Sequence, residues 1–474
     1  MSLLTLLALA ARSPANPNER AEVYRCLYDL KFVASMRHLP IDATAVTVDA
    51  LRRALGTDVL EDFNAEVLSA MNVDLCSSPP CVGALDDVTC VALRDAAVQF
   101  VRSDHQDLFE QLPRRYLENH TASCWRDARG RFACLPSLFI AGPMKTGSTW
   151  WYQELVKRAG WSTAQPLLAN DARTTKEPYF WNEQSRHSCY RDSRMGQFCK
   201  LQNYTDVWAG NAASRIRAHP SLGLMDGTAL VFSGGPASSR RLPTLPQLLR
   251  EATPGARIII TVRPPEDRAK SGFFYLTKFM HGETLKDALA GKYSDSMYLQ
   301  RIRANLLHMG SCLNRTGAIC AYYNENALRE LHSCRGEGCI GRFASSNDGW
   351  TSLIGDGMYW VFLSRWLRSF PPERLLVVGD TSEDLPSDIQ QQQCVLHFSF
   401  GTAAPALDAR ASVSKVGANG NANANAHVTS PLRLQAHKEM SQFFQSHNAR
   451  LWRTVAEFGV PRCSPTTPGE RPVE

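Results

Sequence analysis

Apolar positions recur along this chain with two different rhythms. Between residues 20 and 115 they fall at mixed spacings of three and four, as in Val48–Leu55, Val59–Met71 and Cys90–Val101, a pattern that predicts helices. From residue 136 onward, short β-branched runs alternate with helical stretches. The runs Leu138–Ala141, Arg257–Val262, Ala318–Tyr323 and Arg374–Val378 predict strands, and Thr149–Arg158, Glu266–Phe279 and Gly357–Ser369 predict helices. Such alternation argues for an α/β layer fold with a central, mainly parallel sheet. Gly417–Ala426 (GANGNANANA) cannot build a core and reads as a mobile loop. The expected organisation is a short apolar start over 1–19, a helical region over 20–121, the α/β domain over 122–462 and a disordered Pro- and Thr-rich tail over 463–474.

Composition narrows the class. The 474 residues are 44% hydrophobic and 21% charged, which excludes a wholly disordered, collagen-like or coiled-coil protein. The net charge, 52 − 46 = +6, is too dilute to indicate a polyanion partner by itself, and no nucleic-acid partner is expected. No run approaches the roughly 18 apolar residues of a membrane span. Leu3–Ala11 is apolar but lacks a basic flank. It reads as a poor signal peptide, as the remnant of a longer anchor, or as an ordinary apolar start.

The 14 cysteines point to an oxidising compartment, because several form short-range pairs: Cys76 with Cys81, Cys124 with Cys134, Cys189 with Cys199, Cys312 with Cys320, and Cys334 with Cys339. Cys26 and Cys90 are further candidates to staple the helical region. None of the pairs is Cys-x-x-Cys and no His stands at zinc-finger spacing, so no metal is expected. The sequons at Asn119, Asn203 and Asn314 agree with passage through the secretory pathway, and Asn314 falls inside the Cys312–Cys320 interval, read as an exposed disulfide loop.

The most informative segment is Leu138-Phe-Ile-Ala-Gly-Pro-Met-Lys-Thr-Gly-Ser-Thr149. A buried strand runs into a Gly-containing turn and then a helix opened by Ser148 or Thr149, an arrangement whose backbone N–H groups bind phosphate. A nucleotide-triphosphatase loop needs G-x-x-x-x-G-K-[ST]. Gly142 and Gly147 have that spacing, but Ser148 occupies the lysine position and the lysine sits earlier, at Lys145. A second segment, Arg257 to Ser271, ends a predicted strand at Arg263, passes Pro264 and Pro265, and reaches Ser271 eight residues on. Arg263 offers a planar fork to a phosphate. The third is Thr175-Lys-Glu-Pro-Tyr-Phe-Trp181.

The loop pattern P-x-K-x-G-[ST]-[ST] resembles the 5′-phosphosulfate loop of sulfotransferases that use 3′-phosphoadenosine 5′-phosphosulfate (PAPS), and Arg263 with Ser271 resembles their 3′-phosphate site. The K-E-P segment resembles one in Golgi carbohydrate sulfotransferases whose Glu is the base. Gly357-Met-Tyr359, Arg365-Trp-Leu367 and Phe370-Pro add a weaker match. With the Cys124–Cys134 loop and Asn448–Leu451, the sequence looks most like the N-acetylgalactosamine 4-sulfate 6-O-sulfotransferases, over roughly residues 122 to 460.

The resemblance implies a P-loop-like three-layer α/β/α fold in the Golgi lumen and transfer of a sulfuryl group to a carbohydrate hydroxyl, including that of an anionic polysaccharide. It assigns Glu177 as base and Lys145 to the bridging oxygen and 5′-phosphate. Thr146, Gly147, Ser148 and Thr149 would cradle the phosphosulfate, and Arg263 and Ser271 would hold the 3′-phosphate. The chain departs from the heparan-type members at Met225–Leu230, which offers Asp226 and no lysine, and Lys415 alone stands where a cofactor-covering loop is expected. The alternatives are a P-loop kinase or NTPase, and a non-catalytic glycan-binding protein of the same fold.

Overall fold

The computed structural model describes residues 101–102, 105–143, 145–159, 176, 178, 180–181, 200–206, 208, 211–228, 245–280, 294–315, 353–379, 389–400 and 430–463. Residues 1–100, Glu177, Lys415, the Gly417–Ala426 stretch and the tail from 464 lie outside them. So do the run Ala318–Tyr323 and Cys76, Cys81, Cys189, Cys199, Cys320, Cys334 and Cys339.

The fold is α/β. A helix, α1 (Gln106–Gln111), precedes an antiparallel hairpin of β1 (Ser123–Arg126) and β2 (Phe132–Leu135). Then come β3 (Leu138–Ile140), α2 (Ser148–Ala159), α3 (Leu201–Asp206), α4 (Asn211–Ala218), β4 (Met225–Asp226), α5 (Leu245–Ala252), β5 (Arg257–Thr261) and α6 (Pro265–Met280). The order continues with α7 (Asp295–Arg315), α8 (Tyr359–Ser369), β6 (Leu375–Val378), α9 (Ile389–Phe400), α10 (Pro431–Glu457) and β7 (Arg462–Cys463). Five strands form one sheet in the order β4-β3-β5-β6-β7, every neighbouring pair parallel.

The strands read as continuous apolar runs because the sheet is covered on both faces. Alternation decides which face each side chain meets. Leu138, Ile140, Ile259, Leu376 and Val378 pack with Trp151 and Leu155 of α2 and with Val395 and Leu396 of α9. Phe139, Ile258, Ile260, Leu375 and Val377 pack into the larger core, with residues of α5, α6, α7, α8 and α10. The result is helices on both sides of a parallel sheet, as expected from the strand–helix alternation.

Three departures have plain causes. Helix α10 was not anticipated, although its buried positions Ala436, Met440, Phe444, His447, Leu451 and Val455 follow helical spacing. Ser430 caps it by accepting from the Arg433 N–H at 3.3 Å, with Pro431 in the first turn. Cys463, placed at the head of a disordered tail, instead sits in β7, 2% exposed, and is disulfide-bonded to Cys394 of α9. Residues 312–315 continue α7 and are not part of a loop, so the interval holding Asn314 begins as helix. The expected Cys124–Cys134 disulfide is present, joining residues that face each other across β1 and β2.

Candidate functional site

From β3 the chain steps outward to β4, returns past β3 to β5, and continues through β6 to β7. The direction of travel reverses between β3 and β5, and in open α/β sheets the crevice at the carboxyl ends of such a pair is where ligands bind. The loop 141–147 leaves β3 there, and Val262-Arg263 leaves β5 beside it.

The two loops are built against each other. Buried Thr146 donates its hydroxyl to the Pro143 carbonyl at 2.7 Å, and its Oγ1 lies 2.8 Å from that of Thr261 at the end of β5. Gly142 is obligatory at this crossing, since a Cβ there would stand 1.8 Å from the Thr261 hydroxyl oxygen and 2.6 Å from that of Thr146. Lys145 at φ 72° and Gly147 at φ 86° carry the backbone through the left-handed region before α2 begins. For Lys145 that geometry is strained, and such strain concentrates at ligand clamps. Ser148 is buried and Thr149 exposed at the N-terminus of α2, where the helix dipole favours an anion.

Three cations share this neighbourhood. Burial, then Arg263, then Lys176 depress the pKa of Lys145 below the ordinary lysine value, so both other cations lie within electrostatic reach of its ammonium. Arg263 is half-buried, and its carbonyl accepts a 2.8 Å hydrogen bond from the buried Tyr359 hydroxyl at the start of α8. Ser271 is half-buried on α6. Lys176 is 9% exposed and donates its Nζ to the Ser148 hydroxyl at 3.2 Å.

The segment carrying Lys176 is pinned to the sheet. Its carbonyl accepts from the Gly227 N–H at 2.9 Å, just beyond β4. Farther along, the Trp181 indole donates to the Tyr204 hydroxyl at 3.0 Å, which donates to Asp226 Oδ2 at 2.8 Å. The other Asp226 oxygen accepts from the Thr228 N–H and hydroxyl. Burial and the Asp226 charge push the Tyr204 phenol well above its ordinary pKa, so it stays a donor. Lys176 and Pro178, which flank Glu177, are both buried.

The structure therefore brings Lys145, Thr146, Gly147, Ser148 and Arg263 together at the crevice, with Ser271 on the helix that follows. Glu177 and Lys415 lie outside the described residues. The sequence named Lys176 and Tyr359 only as members of matched segments, with no role for either, and did not name Thr261. A buried lysine beside a carboxylate reads as an exposed ion pair, and neither a threonine at a strand end nor a tyrosine at a helix start announces its partner. Asn119 is exposed in a turn before β1, whereas Asn203 is half-buried in α3. Among the described residues no three His, Cys, Asp or Glu are grouped so as to hold a metal ion, and no helix is long and apolar enough to cross a membrane.

No protein-family model matches the chain, and no curated protein matches it. A crystal structure of a sulfotransferase from Alicyclobacillus acidocaldarius is similar to it at a TM-score of 0.37 and 15% sequence identity, over 68% of this chain and 96% of that one.

Proposed function

We propose that the protein is a PAPS-dependent sulfotransferase acting on a carbohydrate hydroxyl, with an anionic, galactosaminoglycan-like chain as the favoured acceptor. The observation that carries this reading is the gathering of Lys176 and Arg263 within electrostatic reach of the Lys145 ammonium, at a strand–loop–helix turn at the switch point of the sheet. Positive groups so placed raise the local potential, which favours a polyanionic ligand. The lysine inside the loop, with Ser148 in place of the usual lysine before the helix, favours a phosphosulfate over a nucleoside triphosphate.

Bound PAPS would supply the sulfuryl group to the acceptor oxygen, with 3′,5′-adenosine bisphosphate as the leaving group. The Glu177 carboxylate would take the acceptor proton late, since a carboxylate is a far weaker base than an alkoxide. Lys145 would balance the negative charge that builds on the bridging oxygen and the 5′-phosphate. Backbone N–H groups of Thr146 to Thr149 would hold the phosphosulfate, and Arg263 and Ser271 the 3′-phosphate. Lys415 is assigned to the covering loop. Positioning and charge stabilisation do most of the work in such a loose transition state. The Cys124–Cys134 and Cys394–Cys463 disulfides, with the exposed sequon at Asn119, support a luminal, Golgi location.

Calorimetric titration with 3′,5′-adenosine bisphosphate and with ATP tests the reading. Selective binding of the bisphosphate, weakened at least ten-fold (about 1.4 kcal/mol) by Arg263→Ala, is expected. Labelled PAPS with glycan acceptors should then show transfer that Glu177→Gln abolishes. Preference for ATP would leave a P-loop kinase or NTPase as the better reading.

A further inference from the structure

Arg263 stands where the backbone has little freedom left. It precedes Pro264, which biases it toward extended conformations, and neither Pro264 nor Pro265 carries an N–H. The torsion that remains, about the Arg263 Cα–C bond, sets the direction of the side chain relative to its own carbonyl. That carbonyl accepts the 2.8 Å hydrogen bond from Tyr359, a residue 96 positions later in the chain.

Tyr359 is held in turn by the elements around it. The turn Gly355–Gly357 just before it closes through the Gly357 N–H to the Ile354 carbonyl at 2.9 Å and the Met358 N–H to the Gly355 carbonyl at 3.0 Å. Buried Arg268, on α6, donates to the Leu353 carbonyl, and its Nη1 lies 3.7 Å from Asp356 Oδ2. The helix that follows Arg263 is thus tied to the turn that carries the Tyr359 hydroxyl. A donor locked by such packing can hold its acceptor in one orientation. Tyr359 is only 2% exposed, so it acts through Arg263 and not on a nucleotide directly.

We infer that Tyr359 is a positioning residue for Arg263, aiming the guanidinium at the 3′-phosphate and so setting the preference for a nucleotide that carries this group over one that lacks it. A planar fork gains most from a phosphate when it is aimed beforehand. The inference rests on the proposed function and deepens it, since the 3′-phosphate role of Arg263 belongs to that reading.

The test compares 3′,5′-adenosine bisphosphate with adenosine 5′-monophosphate, which differ only in the 3′-phosphate, by calorimetric titration of the full chain. Tyr359→Phe removes the hydroxyl and keeps the ring. It should weaken the bisphosphate about five-fold or more and change the monophosphate less than about two-fold. In an Arg263→Ala background the carbonyl remains but the side chain it aims is gone, so adding Tyr359→Phe should cost less than about two-fold more. Thermal midpoints are measured alongside. Equal losses for the two nucleotides, no loss for either, or a full additional loss in the double variant would overturn the inference while leaving the sulfotransferase reading intact. Failure of Tyr359→Phe to fold would assign the hydroxyl to stability alone and overturn it as well. A wild-type chain indifferent to the 3′-phosphate would remove the proposed function, and this inference with it.

Discussion

Between Gly142 and Thr261 there is no room for a methyl group, because the contact at 2.9 Å from a Gly142 Cβ is the Thr261 carbonyl, part of the sheet itself. Gly142→Ala must therefore part β3 from β5 or tilt the loop. Overpacking of this kind costs about 3 kcal/mol, to be read by denaturant unfolding, and affinity for 3′,5′-adenosine bisphosphate should fall in the same variant. Lys145 gives a second expectation. Its depressed pKa means that the ammonium is lost below pH 10.5, so anion affinity should decline on the alkaline side before that value, and Lys145→Arg should remove the decline. The burial penalty on the charged form, and then the repulsion from Arg263 and Lys176, are relieved as that proton leaves, so the same group makes the fold more stable as pH rises through its folded pKa toward 10.5. At this scale the sequence was legible wherever chemistry fixes spacing along the chain. Lys145, Ser148 and Arg263 were found that way. Lys176 is brought to Ser148, 28 residues away, by the folded chain and by no spacing along it.

The helices behind Arg263 form a support. Gly357, beside the Tyr359 that holds the Arg263 carbonyl, has Phe444 of α10 and Pro265 of α6 within 2.9 Å of where a Cβ would be. Within this layer His447 accepts at Nδ1 from the Trp360 indole at 3.1 Å and is 9% exposed. Burial lowers its pKa from 6.5 to about 4. The unfolded chain takes up that proton first, so stability is lost as pH falls from 6.5 toward 4, by about 3 kcal/mol from this one residue. Urea unfolding at pH 7, 5 and 4 should show a smaller acid loss in His447→Gln than in the wild type, and parallel losses would refute the assignment. Elements were legible in proportion to their length and apolarity. β3, β5 and β6 announce themselves as buried runs, and α2, α6 and α8 begin and end within a few residues of expectation. β4 and β7, with two residues each, are too short for any periodicity to register. Their pairing is imposed by neighbours already in the sheet.

At the scale of the whole molecule, two disulfides among the described residues bracket the α/β unit. Cys124–Cys134 closes a separation of 10 residues inside a hairpin, and Cys394–Cys463 closes one of 69, between α9 and the edge strand. Because loop-closure entropy grows with length, removing the longer bridge by Cys394→Ser with Cys463→Ser should cost roughly 4 kcal/mol on the chain-entropy account, measured as a shift in the unfolding midpoint. An unchanged midpoint would show that β7 is held by pairing with β6 alone. The sequence indicated the first bridge because its partners are near neighbours. The second lay beyond reach, since only the completed sheet brings α9 to β7.

That second bridge also sets a schedule for the chain in the cell. At synthesis rates of about 5–20 residues per second, Cys394 leaves the ribosome roughly 3–14 s before its partner at 463. For that interval its thiol waits without its partner, whereas the two cysteines of the hairpin, 10 residues apart, emerge almost together. Correct maturation therefore calls for an isomerase, or for α9 to bury against β6 quickly enough to shelter the waiting sulfur.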